Sequence, residues 1–275
     1  MPNMNGAHPY RGVSASFATK HEKEKVVAPI FSTLGISLQV PDIDTDLLGT
    51  FSGEIERVGL PKEVVLEKAR LGMEASGLPY GAASEGSVGP DPVVPFLNSD
   101  IECMAWVDDE RGIEIVEFHR SLDIIAATSH SIDGDFLTRA DFPNHSLIVK
   151  GNGKVVKGIK DRGELDRVIA EISKLGASIV IESDLRAHHS PSRMRNIAAV
   201  AEKLVVRISR LCPGCNAPGF GHVENLYGVA CRECKNVEVR AIRGEVLGCV
   251  KCDYREEISR VREFIEPAEC GYCNP

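Results

Sequence analysis

The sequence predicts an α/β protein, with a mixed-sheet body followed by a small C-terminal zinc-ribbon-like module that binds two zinc ions. Apolar runs of strand length alternate with segments of helical periodicity up to about residue 210. Eight of the nine cysteines then follow in the last quarter of the chain. A hydrophobic content of 43% is enough for a sizeable core, and 275 residues correspond to about two domains.

Three segments are expected along the chain. Residues 1–12 are predicted to form a disordered leader, residues 13–210 the α/β body with an optional sub-boundary near 145–160, and residues 211–275 the zinc-binding module. The leader lacks the basic and apolar regions of a signal peptide. No segment approaches the ~18 apolar residues that cross a bilayer. We therefore expect a cytoplasmic protein without a membrane partner.

The elements of the body follow from periodicity and turn residues. Strands are predicted at residues 14–18, 36–40, 102–107, 112–118, 146–149 and 177–182. Helices are predicted at residues 25–35, 61–77, 163–175 and 190–210. The small residues at 81–89 are interpreted as a segment that can hold its backbone close to a ligand.

Four Cys-x-x-Cys pairs dominate the chemistry of the C-terminal module. A two-residue gap lets two thiolates converge on one metal, and two such turns complete a tetrahedral zinc site. Eight cysteines therefore predict two sites, and their all-thiolate shells leave no open position, so the zinc ions are predicted to be structural. The predicted ligands are Cys212, Cys215, Cys231, Cys234, Cys249, Cys252, Cys270 and Cys273.

The spacing leaves the pairing of these four motifs open. The intervals between consecutive motifs are 15, 14 and 17 residues. Sequential pairing would join the first motif to the second and the third to the fourth. Nested pairing would join the middle two around a hairpin in which Val237, Val239 and Ile242 surround Gly244. Crossed pairing is the third option.

A lysine-rich turn follows the first predicted strand and precedes the first predicted helix, where free backbone N–H groups attract anions. Phosphoryl or pyrophosphoryl cleavage needs cations on the phosphate oxygens, a metal held by carboxylates, and a base that orients water. Lys20, Lys23 and Lys68 offer the cations. The candidate carboxylates are Asp44, Asp46, Glu54 and Glu85. The alternative is that these charges belong to solvated turns.

These N-terminal motifs resemble, in their order, those of the inosine triphosphate pyrophosphatase and Maf-like superfamily, over residues 13–90. The resemblance implies a magnesium-dependent (pyro)phosphohydrolase in which Thr19 and Lys23 face phosphate, Lys68 is the helix lysine and Glu85 the acidic loop residue. His21 stands in this turn where the superfamily usually has Asn. The sequence around Glu85 also departs from the usual acidic pattern. The predicted catalytic residues are Glu85, Asp46 and Glu54, and His21 is a further candidate phosphate or substrate ligand.

A third group of polar residues follows the strand predicted at 177–182. Arg186, His188 and Arg193 are candidate phosphate or substrate ligands there, since arginine forks and a helix N-terminus suit anions. The alternative is that Asp184 and Arg186 pair with each other and that the histidines cap a strand–helix corner.

Characteristic strings occur at residues 18–24, 44–54, 183–195, 212–220 and 270–275. In these strings the chain resembles an uncharacterised microbial family of unknown function over most of its length. That resemblance carries no activity to transfer. The leading hypothesis is a metal-dependent hydrolase of a nucleotide or another phosphorylated small molecule. The alternatives are a non-catalytic nucleotide binder and a zinc-ribbon protein that binds nucleic acid or a protein partner. A net charge of −8 disfavours broad nucleic-acid binding, although basic residues do occur within 232–262.

Overall fold

The computed structural model describes residues 8–43, 59–174, 178–259 and 262–275. The chain divides into two compact units. The body is Tyr10–Val205, and the module is Val206–Pro275 together with Met1–Pro9, of which residues 8 and 9 are described. Tyr10, which the sequence assigned to a disordered leader, is fully buried and donates a hydrogen bond to Asp108 Oδ2 at 2.9 Å. The body therefore begins before residue 13.

The first sheet of the body is mixed, as predicted. Its strands are β1 (Ser14–Ala18), β2 (Ser37–Gln39), β3 (Tyr80–Pro90), β4 (Asn98–Asp108) and β5 (Ile113–Ser121), in the order β2-β1-β3-β4-β5. β1 is parallel to β2 and β3, whereas β3, β4 and β5 are antiparallel to one another. β1 stops pairing at Ala18 opposite Ala83, and β3 continues to Pro90. One edge of β3 is therefore left beside the turn that follows β1.

Two helices cover the two faces of this sheet. α1 (Glu24–Ser32) places Phe31 against Trp106, with ring centroids 5.9 Å apart. α2 (Pro61–Ser76) begins with proline and ends at Gly77, whose φ of 66° suits the left-handed helix cap. The buried side chains between α2 and the sheet are Ala18, Val65, Ala69, Met73, Ala83, Cys103, Ala105 and Val107.

The small-residue run at 81–89 is a sheet strand, whereas the resemblance implied an acidic loop there. The reason is tertiary packing, because small residues let α2 lie close to β3. A Cβ atom on Gly81 would stand 2.4 Å from Met73 Cγ, and one on Gly72 would stand 2.8 Å from Ser16 Oγ. Glycine therefore permits the close helix–sheet contact that a larger residue would prevent.

The second sheet of the body is antiparallel. Its strands are β6 (Thr128–Ser129), β7 (Leu147–Gly151), β8 (Lys154–Ile159) and β9 (Val180–Ser183), in the order β6-β9-β7-β8. The associated helices are α3 (Gly134–Arg139) and α4 (Arg162–Ser173), whose first turns are capped by Asp133 and Asp161. β8 was not predicted, because its Lys and Val residues do not alternate and only Ile159, its last residue, is fully buried.

α5 (Pro191–Ser209) begins in the body with proline at its first position and ends in the module. The module itself is a four-stranded sheet. Its strands are β10 (Gly221–Cys231), β11 (Val237–Gly248), β12 (Arg255–Ser259) and β13 (Phe264–Ile265), in the order β12-β11-β10-β13. The sequence hypothesis of a hairpin centred on Gly244 is wrong, because Gly244 lies within β11 opposite Ser259. The hairpin turns lie at the cysteine motifs instead.

Candidate functional site

The turn between β1 and α1 has an unusual backbone. His21 and Glu22 are consecutive non-glycine residues with φ values of 68° and 60°. L-residues seldom occupy this left-handed region, and such conformations concentrate at functional sites. Thr19, at the start of the turn, is buried and donates from Oγ1 to the Lys20 carbonyl at 2.9 Å. Lys23 closes the turn and is also buried.

The ammonium group of Lys23 lies against the free edge of β3. Its Nζ donates to Ser84 Oγ at 3.0 Å and lies 3.4 Å from the Ser84 carbonyl oxygen. Neither partner carries a charge, so these bonds do not neutralise the ammonium. Burial, together with the positive charge of Arg193, lowers the pKa of Lys23 to about 8, against the opposing effects of Glu102 and Glu85. Lys23 is thus a buried, incompletely compensated cation.

Lys68 and Glu85 form an ion pair beside Lys23. Their side chains are only 9% and 7% exposed, so both charges are largely withdrawn from water. Lys68 comes from α2 and Glu85 from β3, where Glu85 follows Ser84 and therefore faces the opposite side of the sheet. The two lysines thus approach the same part of β3 from its two faces. Both members of the pair influence the pKa of Lys23.

A second ion pair lies fully enclosed behind these groups. Arg193 Nε donates to Glu102 Oε1 at 2.6 Å, and Arg193 Nη1 donates to the Leu185 carbonyl at 2.9 Å. Glu102 packs over Gly86 of β3, where a Cβ atom would stand 2.3 Å from its carboxylate oxygens. The glycine therefore makes room for a buried carboxylate at this position.

Asp100 lies two residues before Glu102, on the same face of β4. Asn196 Nδ2 donates to its Oδ2 at 2.9 Å, whereas Asp100 Oδ1 and Glu102 Oε2 are buried and find no hydrogen-bond partner among the described residues. Burial, together with the neighbouring Glu102 charge, raises the pKa of Asp100 to about 7. A carboxyl group with this pKa is partly protonated at neutral pH. The buried charge cluster then holds three cations against two full carboxylate charges. The cations are Lys23, Lys68 and Arg193, and the carboxylates are Glu85 and Glu102.

The strand–helix corner after β9 contains the third predicted group. Arg186 donates to both carboxylate oxygens of Asp184, from Nε at 3.0 Å and from Nη2 at 2.6 Å. This is the ion pair that the sequence offered as the alternative interpretation. His188 stacks on His21 of the β1–α1 turn, with ring centroids 5.0 Å apart. The first and third groups of predicted residues therefore meet in the body.

Burial disfavours the charged form of both histidines of this corner. Burial lowers the pKa of His189 to about 4, and it lowers the pKa of His188 below its ordinary value. His189 Nδ1 shares a hydrogen bond of 2.9 Å with Ser146 Oγ. These rings therefore contribute shape and hydrogen bonds to the corner rather than charge.

A cavity of about 490 Å³ lies within the body, between the far ends of β3 and β4 and the second sheet. Its wall contains Lys150, Lys157 and Arg186 as cations, with Glu182 and Asp184 as carboxylates. Leu185, which lines the cavity, also accepts the hydrogen bond from Arg193. The cavity is therefore adjacent to the buried charge cluster, and its volume suits a small molecule.

Two of the predicted catalytic carboxylates, Asp46 and Glu54, lie outside the described residues, as does Asp44. Sequence reasoning missed Ser84, Asp100, Glu102 and Asn196, which hold the buried cluster together. Asp100 and Glu102 did carry a signal, because charged residues at alternate positions in an otherwise apolar strand must find partners. Their partners on α5 lie more than ninety residues away, so spacing could not reveal them.

The eight cysteines of the module form two groups of four, and the pairing is crossed. One group is Cys212, Cys215, Cys249 and Cys252, and the other is Cys231, Cys234, Cys270 and Cys273. β10 and β11 explain this pairing, because their ladder runs from Gly221 opposite Gly248 to Ala230 opposite Val237. The first and third motifs flank one end of the ladder, and the second and fourth lie at its other end. Motifs adjacent in sequence are therefore roughly 30 Å apart.

The sulfur positions fit zinc. Four thiolates around zinc, with Zn–S bonds of about 2.3 Å, stand about 3.8 Å apart in a tetrahedron. The distance between Sγ atoms is 3.8 Å for Cys212 and Cys252 and 3.6 Å for Cys215 and Cys249. The second group gives 3.8 Å for Cys231 and Cys273 and 3.6 Å for Cys234 and Cys270. Both groups could therefore hold zinc, with no position left open.

The basic residues of the module are partly neutralised. Arg232 pairs with Glu266, and Arg262 pairs with Glu269. Nucleic-acid binding by the module stays a prediction. None of the described helices is long and apolar enough to cross a membrane.

A family model described as "Domain of unknown function (DUF6671)" matches residues 68–275. The chain belongs to this family. No curated protein matches it. Among solved structures, the chain is similar to a nucleoside-triphosphatase / dITP/XTP pyrophosphatase from Mycobacterium abscessus, with 16% identity and a TM-score of 0.29. That match covers 59% of this chain and 94% of the other. A likeness of this size carries no argument about fold or function.

Proposed function

We propose that this member of the DUF6671 family binds a phosphorylated small molecule in its body, with nucleotides as the leading class, and hydrolyses it at phosphorus. The observation that carries the proposal is Lys23, a buried ammonium group whose hydrogen bonds, among the described residues, go to the uncharged Ser84. A buried cation that is incompletely compensated is costly unless an anion completes its surroundings. A phosphate group would supply that anion.

The residues of the β1–α1 turn are the proposed phosphate ligands. Thr19 and Lys23 would contact phosphate oxygens, and His21 would lie beside them where its ring stacks on His188. Lys68 is proposed to contribute positive charge from the other face of β3. Arg193 is 2% exposed and is proposed to act from behind by adding to the positive potential.

The cavity beside the cluster supports a ligand larger than inorganic phosphate. Glu85 and Gly89 are four residues apart in β3, and Gly89 lines the cavity. Four residues of a strand span roughly 13 Å, which is the length of a nucleoside polyphosphate rather than of one phosphate group. Arg186, with the cations of the cavity wall, would then face the remainder of the ligand.

Hydrolysis requires a carboxylate to orient water or to hold a metal. Glu85 is the proposed carboxylate within the described residues, and it already bonds to Lys68. Magnesium is proposed as the companion of the substrate phosphates, since it typically binds one or two protein carboxylates together with phosphate oxygens. Asp46 and Glu54 remain candidates for the same role. The two zinc ions of the module are proposed to be structural.

The test is a hydrolysis screen of nucleoside triphosphates with magnesium, read by release of phosphate and pyrophosphate. Lys23→Ala and Glu85→Gln are each expected to lower kcat/KM at least about 100-fold, in the range of lost transition-state contacts. Lys25→Ala and Glu67→Gln are the matched controls, because both residues are exposed neighbours of the site residues, and they should retain wild-type rates.

The outcomes separate the proposed activity from its alternatives. Loss of turnover in Lys23→Ala and Glu85→Gln, but not in the two control variants, supports the hydrolase. Nucleotide binding that depends on Lys23, with no turnover on any substrate, would support the non-catalytic binder. A wild-type protein that neither binds nor cleaves any phosphorylated compound would contradict the proposal.

A further inference from the structure

His145 connects two parts of the body through a buried chain of hydrogen bonds. Its Nδ1 lies 2.8 Å from Asp141 Oδ2, and its Nε2 lies 3.1 Å from Ser192 N and 3.0 Å from Ser192 Oγ. His145 is 1% exposed and Ser192 is fully buried. The residue stands between α3 and β7, whereas Ser192 is the second residue of α5.

These contacts determine where the imidazole proton lies. A backbone N–H can only donate, so His145 Nε2 must accept from Ser192 N. The single proton of the neutral ring is therefore on Nδ1, from which it is donated to the Asp141 carboxylate. Ile125 N donates to Ser192 Oγ at 3.2 Å, which leaves the serine hydroxyl proton free to point at Nε2 as well. Every donor among Asn144, His145, Ser192 and Ile125 in this series of hydrogen bonds then has an acceptor.

The set Asp141, His145 and Ser192 contains the residue types of a nucleophilic triad, but it is not built for nucleophilic attack. Ser192 is fully enclosed and lies in the first turn of a helix, so its hydroxyl has no open side toward a substrate. The bond from Ser192 N to the imidazole is instead a helix cap. It satisfies one of the backbone donors that the first turn of a helix leaves without an intrahelical acceptor.

The helix that His145 caps carries two residues of the buried cluster. Arg193 follows Ser192 and donates to Glu102, and Asn196 donates to Asp100. Ser146, the neighbour of His145, binds the preceding corner. Its carbonyl accepts from Asp184 N at 2.8 Å, and its own N–H donates to the His189 carbonyl at 3.1 Å. Residues 145 and 146 therefore hold the corner and the start of α5 together.

We propose that His145, oriented by Asp141, is a positioning residue that caps α5 and thereby fixes Arg193 and the adjoining corner of the ligand site. Its importance for ligand binding rests on the proposed function, whereas its capping role does not. Asp141 is itself held, because Asn144 Nδ2 donates to its second carboxylate oxygen at 3.0 Å. Asp141, His145 and Ser192 thus form a fixed support behind the binding residues.

Two amide substitutions at His145 separate the two bonds of the ring. His145→Gln can place a carbonyl oxygen near the position of Nε2 and keep the bond from Ser192 N. His145→Asn can reach Asp141 but is too short to reach Ser192. Hydrogen exchange of the Ser192 and Arg193 amides should therefore accelerate about fivefold or more in His145→Asn and clearly less in His145→Gln. The affinity for inorganic pyrophosphate should likewise fall more in His145→Asn than in His145→Gln.

Two further variants keep the inference testable if a His145 variant does not fold. Asp141→Ala removes the half-exposed carboxylate that accepts from Nδ1, so the ¹⁵N shift of His145 Nδ1 should change, whereas Nε2, which still accepts from Ser192 N, should remain the unprotonated nitrogen. Ser192→Ala keeps the backbone donor and should leave any phosphate release within about threefold of wild type, whereas a catalytic serine would lose nearly all of it.

Faster exchange in His145→Asn than in His145→Gln supports the cap. Equal exchange in both variants and the wild type would overturn it, as would an Nε2–H tautomer in the wild type. If the wild type does not bind pyrophosphate, the proposed function loses support, and the exchange rates still decide the role of His145.

Discussion

The body and the module collect their chemically active groups in opposite ways. In the module, each Cys-x-x-Cys motif supplies two of the four ligands of a site, and the fold decides only which two motifs share a metal ion. In the body, the charged groups come from separate elements, and only the tertiary fold brings them together. These groups are Lys23, Lys68, Glu85, Glu102 and Arg193. Local spacing can therefore specify a metal-ligand set, whereas a cluster of charges requires the tertiary structure.

The two regions also differ in how completely their groups are satisfied. Each group of four cysteines makes a closed shell that fits one zinc ion, so each of the eight thiolates has a place in a metal site. Within the part of the body that the structure describes, a buried lysine bonds to uncharged partners and two buried carboxylate oxygens have no hydrogen bond. Incomplete satisfaction of buried charge is typical of a site that awaits a ligand.

Removal of zinc should have the largest effect of any change. Because a structural zinc contributes on the order of 10–16 kcal/mol of binding free energy, a chelator should unfold β10–β13. Native mass spectrometry should find two zinc ions per chain, and hydrogen exchange of the Val229 and Val246 amides should accelerate sharply on chelation. Cys103→Ala, which removes the cysteine outside both groups, should retain both ions.

Substitutions that remove single ligands test the crossed pairing. In the cadmium-substituted protein, Cys215→Ser and Cys249→Ser should perturb the same ¹¹³Cd resonance, and Cys234→Ser should perturb the other. If Cys215→Ser and Cys234→Ser perturbed the same resonance, pairing would be sequential and the ladder argument would be wrong.

A smaller effect is expected from breaking the buried ion pair of the body. Glu102→Gln leaves the Arg193 guanidinium buried beside a neutral group, which should lower the free energy of unfolding by about 3–5 kcal/mol. Glu114→Gln breaks the exposed pair with Arg70 and should cost about 0–1 kcal/mol. Urea denaturation, followed through Trp106, measures both. Equal costs in the two variants would show that burial of the charge at Glu102 contributes nothing.

The sequence predicted those parts of the fold that depend on neighbouring residues. Helix α2 follows from its proline start, its apolar face and Gly77, and the mixed α/β class follows from alternating elements. The predictions failed where tertiary packing decided the result. β3 consists of small residues because α2 lies against it, and β8 is a half-buried strand with weak periodicity. Neither feature leaves a local signal strong enough to recognise.

In the candidate site, too, the residues with a local sequence signal were predicted and those defined by tertiary contacts were not. Lys23, Lys68 and Glu85 were singled out because lysines and carboxylates stand next to predicted turns and helices, and they lie at one end of β1. Ser84, Glu102 and Asn196 were missed, because each is defined by a contact with a distant segment. Ser84 accepts from Lys23, Glu102 accepts from Arg193, and Asn196 donates to Asp100. The pairing of the cysteine motifs likewise depended on the length of the β10–β11 ladder rather than on the intervals.

The pH dependence of anion binding tests the central claim about Lys23 most directly. Sulfate is the probe, because it mimics phosphate and keeps the same charge from pH 7 to 9.5. Anion binding favours the protonated lysine, whose pKa lies at about 8 in the free protein. The affinity should therefore fall about 30-fold between pH 7 and 9.5 in the wild type, and it should stay nearly constant in Lys23→Arg, which remains charged. A wild-type affinity that does not change over this range would contradict the account.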